Sequence, residues 1–251
     1  MSSTHRGAKR MADDFYETPP WATRAILRVL GPRDGVILDP CAGDGAILAV
    51  AREMCPVAHL SAIELRPEHE AACRGAMSGP FVRPTDLVIR DALLPESWRG
   101  RTTDRPHLVL TNPPFELSME FVRRALDEVS RGGTVAMLLR LAFMASIERQ
   151  AFHNERPADV FVLPRRPSFA ASLKCSKKRE TGCTYAEILP LKAPRPKACP
   201  LCGAKVSVTT NDSADYAWFV WSWGCGGRWK TLDIDGCEEL PATTAGEGAS
   251  E

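Results

Sequence analysis

The sharpest chemical signal in the sequence is Thr111-Asn112-Pro113-Pro114-Phe115. It follows the apolar run Leu108-Val109-Leu110, and two prolines after such a run stop strand pairing and stiffen the loop. The amide oxygen of Asn112 and the backbone carbonyl of Pro113 can both accept hydrogen bonds from one planar amino group. Phe115 offers a face on which a planar ring can stack. An exocyclic amine on such a ring is a poor nucleophile, because its lone pair is delocalised. Two fixed acceptors draw on its hydrogens and favour a more tetrahedral, more reactive nitrogen. The plain alternative is a strand terminator.

Three more features fall at the ends of earlier apolar runs. Asp39-Pro40-Cys41-Ala42-Gly43-Asp44-Gly45 follows Val36-Ile37-Leu38, and its glycines let the backbone come close to a ligand at a helix N-terminus. A Gly-x-Gly turn alone is equally an ordinary turn. Glu64 closes the run His59 to Glu64, where a carboxylate commonly grips ribose hydroxyls. Asp91 lies just past Leu87-Val88-Ile89. In open parallel sheets ligands lie at the carboxyl ends of strands, and these residues mark successive ends.

The elements that must position them alternate in type. Thr18-Pro19-Pro20 reads as a helix start, with Thr18 as cap and prolines in the first turn; Ile26, Leu27 and Leu30 give the helix an apolar face, and Gly31-Pro32 ends it. Strands are expected over 36–38, 59–64, 87–89, 108–110 and 134–139. Helices are expected through Ile47, Leu48 and Ala51, from Pro67 to about Met77, and from about Ser118 to Val129. This alternation predicts a mostly parallel sheet covered on both faces. Val160 to Leu163 and Tyr216 to Trp221 add an antiparallel edge hairpin, making seven strands. The fifty or so residues between that last pair are too many for a hairpin and predict an inserted module.

Composition sets the outer bounds. The 251 residues carry a net charge of +1, with 25% charged and 44% hydrophobic residues, as expected of a globular protein. No apolar run approaches the roughly 18–20 residues needed to cross a bilayer, and no signal peptide is evident, so a cytoplasmic protein without membrane attachment is expected. The charge is unevenly spread. From Arg165 to Lys205 there are ten Lys and Arg against two acids, whereas from Asp233 to Glu251 there are six acids and no base. A basic stretch on a balanced chain suggests an anionic partner, nucleic acid first; a solvated basic loop is the alternative. The nine cysteines argue against a disulfide framework and for metal binding.

Taken together, FYETPP (Phe15 to Pro20), DPCAGDG (Asp39 to Gly45) and NPPF (Asn112 to Phe115), in that order, resemble class I S-adenosylmethionine-dependent DNA adenine-N6 methyltransferases with the gamma order of motifs. RPSF (Arg166 to Phe169) and NDSADYAWFVW (Asn211 to Trp221) are similar to closing segments of the phage-type members. The resemblance covers about Asp14 to Ile234, apart from the cysteine-rich stretch. It implies the Rossmann-like class I methyltransferase fold and direct in-line transfer without a covalent enzyme intermediate. It further implies that Tyr16, Thr18 and Pro19 touch the methionine end of the cofactor. Asp39, Pro40, Ala42, Gly43 and Gly45 would form its cradle. Glu64 would bind the ribose, Asp91 the adenine amino group, and Asn112, Pro113, Pro114 and Phe115 the target base, with Asn112 also touching the cofactor and Phe169 packing nearby. The NPPF chemistry also suits RNA amino groups or a protein glutamine. A DNA-binding zinc protein on an inactive scaffold is the non-enzymatic reading.

Within the insert, Cys199-Pro200-Leu201-Cys202-Gly203 has zinc-knuckle spacing. Cys175 and Cys183 are the preferred second pair, because they fall inside the insertion; Cys225 and Cys237 are the rivals. The expected layout is a disordered start (1–13), a methyltransferase core (14–170), a zinc-ribbon-like insert (171–210), the last core strands (211–236) and a disordered acidic tail (237–251). A monomer with DNA as partner and no obligate protein partner is expected.

Overall fold

The computed structural model describes residues 17–79, 86–98, 105–177, 182–190, 194–209, 214–222 and 226–235. The expected disordered ends, Tyr16, and both Cys225 and Cys237 lie outside the described residues.

Helix α1 (Pro20–Leu30) stops at Gly31, whose φ of +76° a glycine adopts without strain and whose N–H donates to the Leu27 carbonyl. Its cap is Pro19, not Thr18 as expected. The ring of Pro20 keeps the preceding residue out of the helical region, so Pro19 stays extended and the helix begins one residue later. That shift leaves the Thr18 side chain for another use.

Strands and helices then alternate: β1 (Val36–Asp39), α2 (Ala46–Met54), β2 (His59–Glu64), α3 (Glu70–Met77), β3 (Leu87–Ile89), β4 (Leu108–Thr111), α4 (Ser118–Glu128), β5 (Thr134–Arg140), α5 (Ile147–Glu155) and β6 (Asp159–Val162). A small sheet of β7 (Ala170–Cys175), β8 (Ala186–Pro190) and β9 (Val206–Thr209) follows, then β10 (Tyr216–Ser222) and β11 (Trp229–Thr231) return to the main sheet. The main sheet has the order β11-β6-β10-β5-β4-β1-β2-β3. Strands β3, β2, β1, β4 and β5 run parallel, β10 is antiparallel to both β5 and β6, and β11 is parallel to β6.

The main sheet therefore has eight strands among the described residues, one more than expected. The extra strand, β11, is an exposed edge of three residues with no apolar alternation to betray it. Neighbouring residues on each strand face opposite layers, as the pleat requires. Ile37, Leu110 and Trp218 join the layer of α1 and α2, whereas Leu38, Val109 and Phe219 join that of α4. This is the α/β arrangement, with a mostly parallel sheet covered on both faces, that the sequence predicts. No helix among the described residues is long and apolar enough to cross a membrane.

Candidate active site and cysteine cluster

Strands β1, β2 and β4 end at the same edge of the sheet, and the loops beyond them wall one cleft. Thr18, Asp39, Pro40, Ala42, Gly43, Glu64, Asp91, Asn112 and Pro114 all line it. Pro19, Gly45, Pro113 and Phe115 stand outside the wall. Gly45 instead begins α2 at φ +83°, packed so closely on α3 that a Cβ would come within 2.5 Å of the Ala76 Cβ.

Glu64 is 3% exposed, and both its oxygens accept hydrogen bonds. Oε2 takes the Gly43 N–H at 2.7 Å and Oε1 the Arg66 N–H at 3.0 Å. The carboxylate thus fastens the glycine loop to the end of β2. Arg66 pairs with it at 3.3 Å and shares the cleft wall, a contribution that no sequence motif announced. Asp91 is exposed, and its Oδ1 accepts the Leu93 N–H at 2.8 Å. Asn112, on the loop after β4, donates from Nδ2 to the Thr18 hydroxyl at 3.1 Å. A residue 94 positions earlier in the chain thereby fixes the amide, which points its oxygen and nitrogen in defined directions.

Beside the cleft Phe115 joins an aromatic group. Its ring centroid is 5.4 Å from Tyr216 and 6.4 Å from Phe169, and Phe169 lies 5.0 Å from Tyr216. Arg140, at the end of β5, places its guanidinium carbon 4.8 Å from the Phe115 centroid. Tyr216 and Arg140 went unrecognised in the sequence. The signal for Arg140 was available, since β5 ends at the same edge as β1, β2 and β4.

Asp39 is fully buried, and its carboxyl is pushed up to about 7. Burial is the main cause; the Thr111 hydroxyl and the Cys41 N–H pull the other way, and the Glu64 charge adds to the rise. The unfolded chain ionises this group near 3.8 and the folded chain near 7, so between those values the folded state holds the extra proton. Its contribution to stability is complete below about pH 3.8 and is lost as pH rises through about 7. Asp39→Asn should therefore gain in melting temperature relative to the parent chain as pH is raised from about 5 to 8. Thermal unfolding of both proteins across that range checks this; a pH-independent gap would mean that Asp39 is ionised throughout. Cys41, in the same loop, has its thiol pushed well above 9, by burial first and then by the Asp39 charge.

The second constellation lies in the small sheet. The sulfurs of Cys175, Cys183, Cys199 and Cys202 all lie within 4.8 Å of one another. Cys175 and Cys202 are 3.4 Å apart, and Cys183 and Cys199 3.6 Å.

No family model matches the chain. No curated protein matches it either. Solved structures do resemble it in fold. A methyltransferase subunit of a type I restriction-modification system from Streptococcus thermophilus superimposes with a TM-score of 0.56 at 14% identity, over 86% of this chain and 47% of the other. A Listeria monocytogenes protein named as a class I S-adenosylmethionine-dependent methyltransferase gives 0.55 at 12% identity, over 90% and 68%. A predicted O-methyltransferase of Agrobacterium tumefaciens gives 0.51 at 17%, over 84% of each chain. The chain spans about half the length of the restriction-modification subunit. At these identities the likeness defines the class I methyltransferase fold.

Proposed function

We propose that the protein transfers a methyl group from S-adenosylmethionine to the exocyclic N6 amine of adenine in DNA by direct in-line attack, the N–C bond forming as the S–C bond breaks, with S-adenosylhomocysteine as the leaving group and the surplus amine proton passing to solvent. The observation that carries this reading is the Asn112 amide. It is held by Thr18 on a proline-stiffened loop, in the same cleft as Asp39, Glu64 and Asp91. The donor set suits the cofactor: Glu64 and Asp91 offer carboxylates to hydroxyl and amino groups, and Ala42, Leu93, Leu117 and Phe121 give apolar wall for a nucleobase. When bound, S-adenosylmethionine supplies an electrophilic sulfonium methyl group. Tyr16, Thr18 and Pro19 are assigned to its methionine end.

The chain's own residues then act by position. The Asn112 oxygen and the Pro113 carbonyl accept from the target amine, turning its lone pair toward the methyl group. Phe115, backed by Phe169 and Tyr216, offers the base a stacking surface. A duplex adenine must leave the stack to reach these groups. Cys41, the thiol in the cleft wall, is held protonated, in keeping with transfer without a covalent enzyme intermediate. We assign residues 14–170 and 211–236 to the catalytic core and 171–210 to an insert.

The test is transfer of labelled methyl from S-adenosylmethionine to unmethylated genomic DNA, total RNA and a protein extract in parallel. N6-methyladenine in the DNA digest, identified by mass spectrometry, is the expected product. Label confined to RNA or to protein glutamine would overturn the substrate assignment.

A further inference from the structure

The β7–β9 sheet has almost no core. Among its described residues the buried apolar side chains are Leu173, Cys175, Cys199 and Val206. So small a sheet cannot offset the entropy of its ordered chain by burial alone and needs a staple. Half of that core is thiol. A Zn²⁺ ion bound tetrahedrally by thiolates at about 2.3 Å sets the sulfurs about 3.8 Å apart. The 3.4 and 3.6 Å separations here are close to that value and far beyond the roughly 2.05 Å of a disulfide.

The backbone is shaped for the same purpose. Gly203, at φ +70°, turns the chain beneath Cys199 and Cys202 and donates its N–H to the Cys199 carbonyl at 2.8 Å. The Cys199 N–H donates to Ala204 at 2.7 Å, closing the knuckle. Four thiolates fill a tetrahedral site completely, which marks a structural ion and not a catalytic one.

The position of the sheet gives it a role. Strand β7 starts at Ala170, directly after Phe169, whose ring packs against Phe115 and Tyr216. The sheet therefore grows out of the wall of the candidate base site. Lys174, Lys177, Arg195, Lys197 and Lys205 are exposed on it or on its loops. Lys174 stands between Leu173 and Cys175 on β7, so it projects from the face opposite the cluster. Arg166, by contrast, is paired with Asp215 at 2.9 Å, and Arg165 lies over the Trp21 ring.

We propose that Cys175, Cys183, Cys199 and Cys202 bind one Zn²⁺ ion as thiolates, and that the ion holds a basic module that grips DNA phosphates beside the target base. The four thiols release their protons, leaving a doubly negative centre that the basic residues more than balance. The DNA half rests on the proposed adenine methylation; the metal half stands without it.

The experiment uses the full chain, purified under reducing conditions. Native mass spectrometry should find one zinc per chain, and a metal-free chain that takes up no added Zn²⁺ overturns the site. Cys199→Ser with Cys202→Ser should abolish zinc binding while S-adenosylhomocysteine still binds, which reports a folded core. Zinc retained at full stoichiometry in that variant overturns the ligand set. Binding to a DNA duplex is then measured in the Asn112→Ala background, between roughly 50 and 200 mM salt. Replacing Lys174, Lys197 and Lys205 by Gln should keep the zinc and reduce the slope of log Kd against log salt by about 2 to 3. An unchanged slope, or binding to RNA in place of DNA, overturns the phosphate grip. If methyl transfer to adenine fails while zinc and DNA are both bound, the fault lies with the catalytic reading alone.

Discussion

Asn112→Ala should lower the rate of methyl transfer about a thousandfold, roughly 4 kcal/mol of transition-state stabilisation. S-adenosylmethionine affinity should change little. The side chain is fixed from behind by Thr18, and its remaining amide atoms are what the loop presents to the cleft. Asn112→Asp keeps an acceptor oxygen but cannot donate to Thr18 when ionised, so it should fall between the two. Single-turnover rates and equilibrium cofactor binding, measured on the same samples, separate the effects. If the loss lay entirely in cofactor affinity, Asn112 would be part of the cofactor wall and the amine-holding role would fall.

Trp218→Ala should cost about 3–5 kcal/mol of stability. Trp218 is fully buried on β10, opposite Leu138 of β5 and Phe161 of β6, and its indole N–H donates to the Ala22 carbonyl at 2.9 Å. One side chain thus joins the strand inserted late in the chain to the first helix. Truncation removes the packing and the additional hydrogen bond on the Ala22 carbonyl, which keeps the helical N–H of Ile26. Trp218→Phe removes the same hydrogen bond but keeps most of the packing, and should cost less, about 1–3 kcal/mol in all. Urea unfolding followed by circular dichroism measures both; a loss under about 1 kcal/mol for the alanine variant would mean that α1 is held by other contacts.

The central strands were legible because each carries a short apolar run between two covered faces; β1 and β4 are buried at every position. The lining of the cleft was legible because those residues sit where the runs stop. What escaped the sequence lacks such burial. Helix α5 buries no residue and leaves Ile147 92% exposed, so it carries no apolar stripe. Strand β11 is exposed throughout. The Thr18 cap was misjudged for another reason. Its neighbouring prolines impose a local rule that outranks the preference of threonine for caps, and the hydroxyl meets Asn112 only through the tertiary fold. Tyr216 escaped in the same way, because nothing local relates it to Phe115; Arg140 was marked only by its place at the end of β5.

The chain leaves the core at Phe169 and re-enters it at Tyr216, and those two rings are 5.0 Å apart. A detour whose ends already touch strains neither end, and its closure entropy grows only slowly with its length. The cysteine-bearing stretch is in that sense an exchangeable cassette. It can lengthen, shorten or change its surface while β10 keeps its register beside β5. Divergence in what the protein grips can therefore proceed separately from divergence in the chemistry of the cleft.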